Sequence, residues 1–135
     1  MSQRRGVSLR ADALRFTRGN PAHLSLYILS SALDYLSSFD AAAIQRHVQT
    51  LTSDLLERLG RHRIASSTPA EPARHGASVC LARGDARQLQ GLLQDQGILA
   101  WNGRGRLRIS FHGYNDRQDV DRVEAGLLDA LPQLR

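Results

Sequence analysis

Lysine is absent from this 135-residue chain, so all 18 basic residues are arginine, set against 13 acids for a net charge of +5. Guanidinium stays protonated, which removes side-chain amines as nucleophiles or Schiff-base formers and leaves anion binding available. The single cysteine, Cys80, excludes an internal disulfide and fits a reducing compartment. Aromatics are only 5% of the residues, so base-stacking platforms for nucleic acid are scarce. No run approaches the ~18 apolar residues of a spanning helix. The first twenty residues carry Arg4, Arg5, Arg10, Arg15 and Arg18 without the apolar core of a signal peptide. A soluble cytoplasmic protein with no membrane partner is expected. Arginines interleave with acids except at Arg104, Arg106 and Arg108, so no long basic tract supplies a phosphate footprint, and nucleic acid is not the expected partner.

What is present is one domain's worth of chain with 41% hydrophobic residues, enough for one core. Residues 1–19 have no steady hydrophobic period and read as an arm or linker, leaving 20–135 as the folded domain. Asn20 as cap and Pro21 at the first helical position predict a helix to about Ser38. Asp40 caps a second, with Ile44, Val48, Leu51, Leu55 and Leu59 in one stripe and Gly60 as its stop. Ala77 to Ala82 is a strand candidate. Asp85 and Gln88 open a short helix that Gly97 ends. Ile98 to Trp101 reads as a strand and Asn102-Gly103 as a turn. Leu107, Ile109 and Phe111 then alternate with Arg106, Arg108, Ser110 and His112, the period of a half-buried strand. Asn115 and Gln118 cap a final helix striped by Val120, Val123, Leu127, Leu128 and Leu131. The order implies an α+β fold, a two-layer domain with a three- to four-stranded, mostly antiparallel sheet packed against helices.

The densest candidate for chemistry is the polar series Arg106, Arg108, Ser110 and His112, which lines one strand face and can present two guanidinium forks to a carboxylate or phosphate. A solvated sheet face gives the same alternation. Gly19-Asn20-Pro21 at a helix start is either a structural cap or an anion site on free N–H groups. Cys80, inside an apolar strand, reads as a small core residue. His23, His47, His62, His75 and His112 show no metal-ligand spacing, so no metal is expected. Phe111 and Tyr114 sit at odd separation and cannot share a strand face as a stacking pair, which counts against an RNA-binding module. Uncovered apolar helix faces would instead drive self-association of a stand-alone interaction module.

Three segments together resemble the class V aminotransferase family, the pyridoxal-phosphate group of cysteine desulfurases, selenocysteine lyases and isopenicillin N epimerase-like proteins. They are Arg15-Phe16-Thr17-Arg18-Gly19-Asn20-Pro21, Gly97-Ile98-Leu99-Ala100-Trp101, and Arg108-Ile109-Ser110-Phe111-His112-Gly113-Tyr114-Asn115 with Asp119-Val120-Asp121-Arg122. The resemblance runs from about Arg15 to Leu128 and implies the small C-terminal domain of the aspartate-aminotransferase-like fold. In full-length members that domain packs on a large, lysine-bearing domain within a homodimer that binds pyridoxal 5'-phosphate and an amino-acid substrate. It further implies that Arg108 binds the substrate α-carboxylate. Gly19 and Asn20 match a Gly-Thr step that reaches the cofactor phosphate of the opposite subunit, with Asn in place of Thr. Asn115 matches a structural cap. Desulfurases carry a cysteine between the last two strands, where this chain has Asn102-Gly103-Arg104-Gly105, which points toward the epimerase-like and generic aminotransferase branches. With no lysine, no Schiff base to the cofactor can form on this chain, and the chain alone is expected to be non-catalytic.

Overall fold

In the computed structural model, which describes residues 10–16 and 19–134, the chain divides into two compact units, Met1–Phe39 and Asp40–Arg135. The first unit holds a short 3-10 turn, Ala13–Phe16, and helix α1, His23–Ser37. The helix begins later than its cap signal suggests. Ala22 occupies the N-cap with no side-chain hydrogen bond, and Pro21 stays outside the helix. Apolar residues fall on every side of α1, and Leu24, Tyr27, Ile28, Leu33, Tyr35 and Leu36 are all more than half exposed. Such a helix buries no stripe of its own, in contrast to the amphipathic helices of the second unit.

The second unit is an α+β layer pair. Its elements are α2 (Ala41–Arg61), β1 (Ser78–Ala82), α3 (Ala86–Asp95), β2 (Trp101–Gly103), β3 (Arg106–Ser110) and α4 (Arg117–Ala130). The sheet is fully antiparallel in the order β1-β3-β2, with β3 in the centre. Val79 and Leu81 of β1, Leu107 and Ile109 of β3, and Phe111 just beyond it point to one side. There they meet Leu55 and Leu59 of α2, Leu89 and Leu93 of α3, and Val120 and Leu127 of α4, forming one core. Ile44, expected in the α2 stripe, lies outside it. The outer edge of β1 is covered by Ser67 and Thr68: the Ser67 N–H donates to the Cys80 carbonyl at 2.8 Å, and the Cys80 N–H donates to Thr68 Oγ1 at 2.9 Å.

Several boundaries differ from the sequence reading for local reasons. Gly60 lies inside α2, and the helix is closed instead by Arg63 at φ 56°, with the Ile64 N–H donating to the Leu59 carbonyl. Gly97 does end its helix as expected, at φ 76°. Asp85 holds the N-cap position of α3, but its carboxylate is taken by Arg83 at 2.7 and 2.8 Å and caps nothing. Residues 98–100 are not strand. The turn between β2 and β3 is Arg104-Gly105, at φ 53° and 68°, the two left-handed residues of a type I′ hairpin, while Asn102 and Gly103 lie in the ladder.

A charge cluster ties α2 to α4. Arg58, its side chain 11% exposed, donates to Asp54 at 2.8 and 3.1 Å, to Asp121 at 2.6 Å and to Glu124 at 2.7 Å, and His62 Nε2 lies 2.8 Å from the other Glu124 oxygen. Hydrogen bonds from Arg58 hold the Asp54 and Glu124 carboxyls below their ordinary values of 3.8 and 4.5, and the same bonds push the guanidinium up.

Two sets of variants test this packing. A Cβ at Gly126 would lie 2.6 Å from Ile98 Cδ1 and 2.9 Å from Gln96 Oε1, whereas one at Gly91 meets nothing within 4 Å. Urea unfolding is expected to show Gly91→Ala stabilised by up to ~1 kcal/mol and Gly126→Ala less stable than Gly91→Ala, because Ile98, Gln96 and Leu93 must shift to admit its methyl group and offset the same helical gain. Because the folded pKa values of Asp54 and Glu124 are depressed, their stabilisation is complete above the ordinary carboxylate values and is lost as pH falls from there through the lower folded values. Arg58→Met is expected to lower stability at pH 7 by roughly 2 kcal/mol and to flatten the decline between pH 5 and 2. An unchanged acid slope would count against the network.

Candidate functional site

The face of the sheet opposite the core carries the polar series. Register places Ser78 opposite Ser110, Cys80 opposite Arg108 and Ala82 opposite Arg106, while on the other side of β3 Trp101 faces Arg108 and Gly103 faces Arg106. The period-2 alternation of β3 separates the two sets: Leu107 and Ile109 are buried, and Arg106, Arg108 and Ser110 are exposed. Ser78 and Ser110 hydroxyls are bonded at 2.9 Å. Cys80 is not a core residue. Val79 and Leu81 take the core side, so Cys80 is turned to the open face, half-buried, directly across from Arg108. His112 lies beyond β3, exposed, with its ring stacked on Tyr114 at 5.5 Å.

Arg108 differs from the structural arginines in its commitments. Among the described residues no carboxylate pairs with it, whereas three hold Arg58 and one holds Arg83. Its contact is the Trp101 indole, with Cζ 4.9 Å from the ring centroid. Arg106 also has no ion pair among the described residues and lies one step along the same face. Phe111 is 2% exposed, which removes it as a stacking platform for a base. Among the described residues no group of His, Cys, Asp or Glu is placed to hold a metal ion, and no helix is long and apolar enough to cross a membrane.

The end of β3 is anchored to α4 by a polar clamp. Asn115 Oδ1 accepts the His112 N–H at 2.8 Å, and Asn115 Nδ2 donates to Asp119 Oδ2 at 2.9 Å. The cap itself is Asp116, not Asn115: its carboxylate accepts from the Gln118 and Asp119 N–H groups, and Asp119 accepts the Asp116 N–H in return. A carboxylate one residue later takes the cap, which frees Asn115 to bridge. His47 Nε2, donating to the Asn115 carbonyl at 2.8 Å, adds α2 to the clamp. The bond from Asn115 holds the Asp119 carboxyl below its ordinary 3.8.

Gly19 and Asn20 belong to the first unit. Gly19 has φ 143° with open space where a Cβ would stand, and Asn20 is exposed and does not cap α1. Thr17 and Arg18 of the same motif lie outside the described residues. The sheet thus brings together Arg106, Arg108, Ser110, Cys80 and Trp101. The sequence reads Trp101 as a strand end and as part of the Gly97–Trp101 segment, without a site role; the signal for one is its two-residue spacing from Gly103 on a strand whose register depends on the turn.

The family model for class V aminotransferases matches residues 2–123, and the chain belongs to that family. A probable cysteine desulfurase of Pseudomonas putida is 30% identical over the full chain, which covers 37% of that protein, and one of Pseudomonas aeruginosa is 31% identical over 96% of the chain, covering 35% of its own length. The apo structure of a cysteine desulfurase from Thermococcus onnurineus NA1 superposes on 96% of this chain with a TM-score of 0.81 at 21% identity, covering 36% of that chain. The chain therefore spans little more than a third of the length of these relatives.

Asn115→Ala is expected to cost about 1–3 kcal/mol through its two lost bonds. It should also let the Asp119 carboxyl rise toward its ordinary value, followed by carbon-detected NMR titration. An unshifted Asp119 would show that the clamp is not formed.

Proposed function

We propose that residues 20–135 are the C-terminal, substrate-side domain of a pyridoxal-phosphate enzyme of this family, that residues 1–19 are its linker, and that Arg108 receives the α-carboxylate of an amino-acid substrate. The observation that carries this reading is an exposed guanidinium, uncommitted to any carboxylate among the described residues, at the centre of the open sheet face. Its in-plane donors match a carboxylate bidentately. Arg106 beside it adds positive potential.

The residues present fit only the edge of the cofactor. Gly19 is open and α1 starts without a side-chain cap, so Gly19, Asn20 and the free N–H groups of the first turn can meet a phosphate, read as that of the opposite subunit in a homodimer. No lysine exists among the 135 residues to hold the group covalently. Bound pyridoxal phosphate supplies an electron sink for amino-acid chemistry. That chemistry belongs to a lysine-bearing large domain or chain in the cytoplasm, and this chain alone is non-catalytic. The all-round apolar surface of α1 and the far greater length of the relatives support such a partner. The names of the Pseudomonas relatives offer cysteine as one substrate, but the Arg104-Gly105 turn brings no thiol, so the reading stays at an amino acid recognised by its carboxylate.

The purified chain with pyridoxal phosphate and a panel of L-amino acids is expected to give no turnover; turnover would overturn the inactivity. In the species isolated from source cells, whose intact mass is expected to exceed that of these residues, Arg108→Gln should raise KM for the amino acid by about 10- to 100-fold, the worth of a charged bidentate contact. An unchanged KM would remove Arg108 from the carboxylate site.

A further inference from the structure

We infer that Trp101 is the positioning residue of Arg108: its indole is a platform that orients the guanidinium, and Gly103 is the vacancy that lets the ring lie across the strand. This rests on the reading of Arg108 as a carboxylate receptor and deepens it. The register sets Trp101 directly opposite Arg108, and Cζ stands 4.9 Å from the ring centroid. On the other flank of Arg108 stands Cys80, too small to serve as a platform. The ring leans along its own strand over Gly103, where a Cβ would lie 2.5 Å from both Cη2 and Cζ2 and 3.3 Å from Cζ3. Any side chain at 103 would displace the indole.

The manner of restraint matters for the chemistry. Arg58 is held by carboxylates that occupy its N–H donors, so it is fixed and spent. An aromatic ring engages the flat face of a guanidinium and leaves the in-plane N–H edge free. Arg108 is therefore restrained without losing the fork that grips a carboxylate. A long exposed side chain otherwise samples many rotamers, and binding must then restrict them.

The test uses the 135-residue chain, with propionate as the carboxylate probe and NMR as the readout. The Arg108 δ-methylene protons are expected to show an upfield ring-current shift. That shift should vanish in Trp101→Leu and Gly103→Ala and persist in part in Trp101→Phe. Propionate affinity should fall roughly two- to fivefold in Trp101→Leu, the range for an exposed cation–π contact, and recover in Trp101→Phe. Trp101 is the only tryptophan, so its emission reports the same site independently. Random-coil shifts for Arg108 in the wild type would overturn the platform. Unchanged affinity in Trp101→Leu, with binding lost in Arg108→Gln, would overturn the positioning role and leave the carboxylate reading standing. Wild-type affinity in Arg108→Gln, or no propionate binding by the wild type, would overturn the carboxylate reading and this inference together.

Discussion

The central position of β3 is the constraint on which the second unit depends. A strand paired on both edges has its backbone groups satisfied by β1 and β2, so its side chains are free to divide strictly between two faces. Leu107, Ile109 and then Phe111 face the helices and anchor the core. Arg106, Arg108 and Ser110 are thereby forced onto the opposite face. A slip of one residue would exchange the sets and bury two unpaired guanidinium groups, at a cost no other contact here could offset. The same alternation that builds the core therefore also presents the open polar face of Arg106, Arg108 and Ser110.

Around that strand the arginines are put to two uses. Arg58 and Arg83 are structural cations with their donors occupied by carboxylates, one joining α2 to α4 and the other bracing the start of α3. Arg108 stands apart because its neighbour is an aromatic face. A cation held by carboxylates is of little use to an incoming anion, while one held by a π-surface keeps its full hydrogen-bonding edge. The α4 clamp through Asn115, Asp119 and His47 fixes the end of β3 without drawing on that edge.

Much of the architecture was legible from periodicity. The Asp40 cap, the Gly97 stop, the alternation of β3 and most of the stripes of α2 and α4 are local signals that appear in the fold, while Ile44 of the first stripe and Leu128 of the second are exposed and Leu131 lies beyond the end of α4. Errors gathered where two local signals competed. Asn115 and Asp116 are both good caps, and the carboxylate takes the helix while the amide bridges. Asn102-Gly103 carries the stronger hairpin-turn signal, yet both residues pair with β3 and the chain turns at Arg104-Gly105. Cys80 looked apolar by its neighbours, yet alternation places it on the far face from them.

The order of elements, most of the core positions and the alternation that exposes Arg106 and Arg108 were legible in the sequence alone, because each depends on residues a few positions apart. The Trp101–Arg108 pairing was not, since it is a cross-strand contact. Moving the turn by two residues changes which side chains stand opposite one another, and only the closed hairpin, docked on α3 and α4, decides that register. The face shared by Cys80, Arg108 and Trp101 is likewise a product of three strands meeting, a proximity that tertiary packing alone creates.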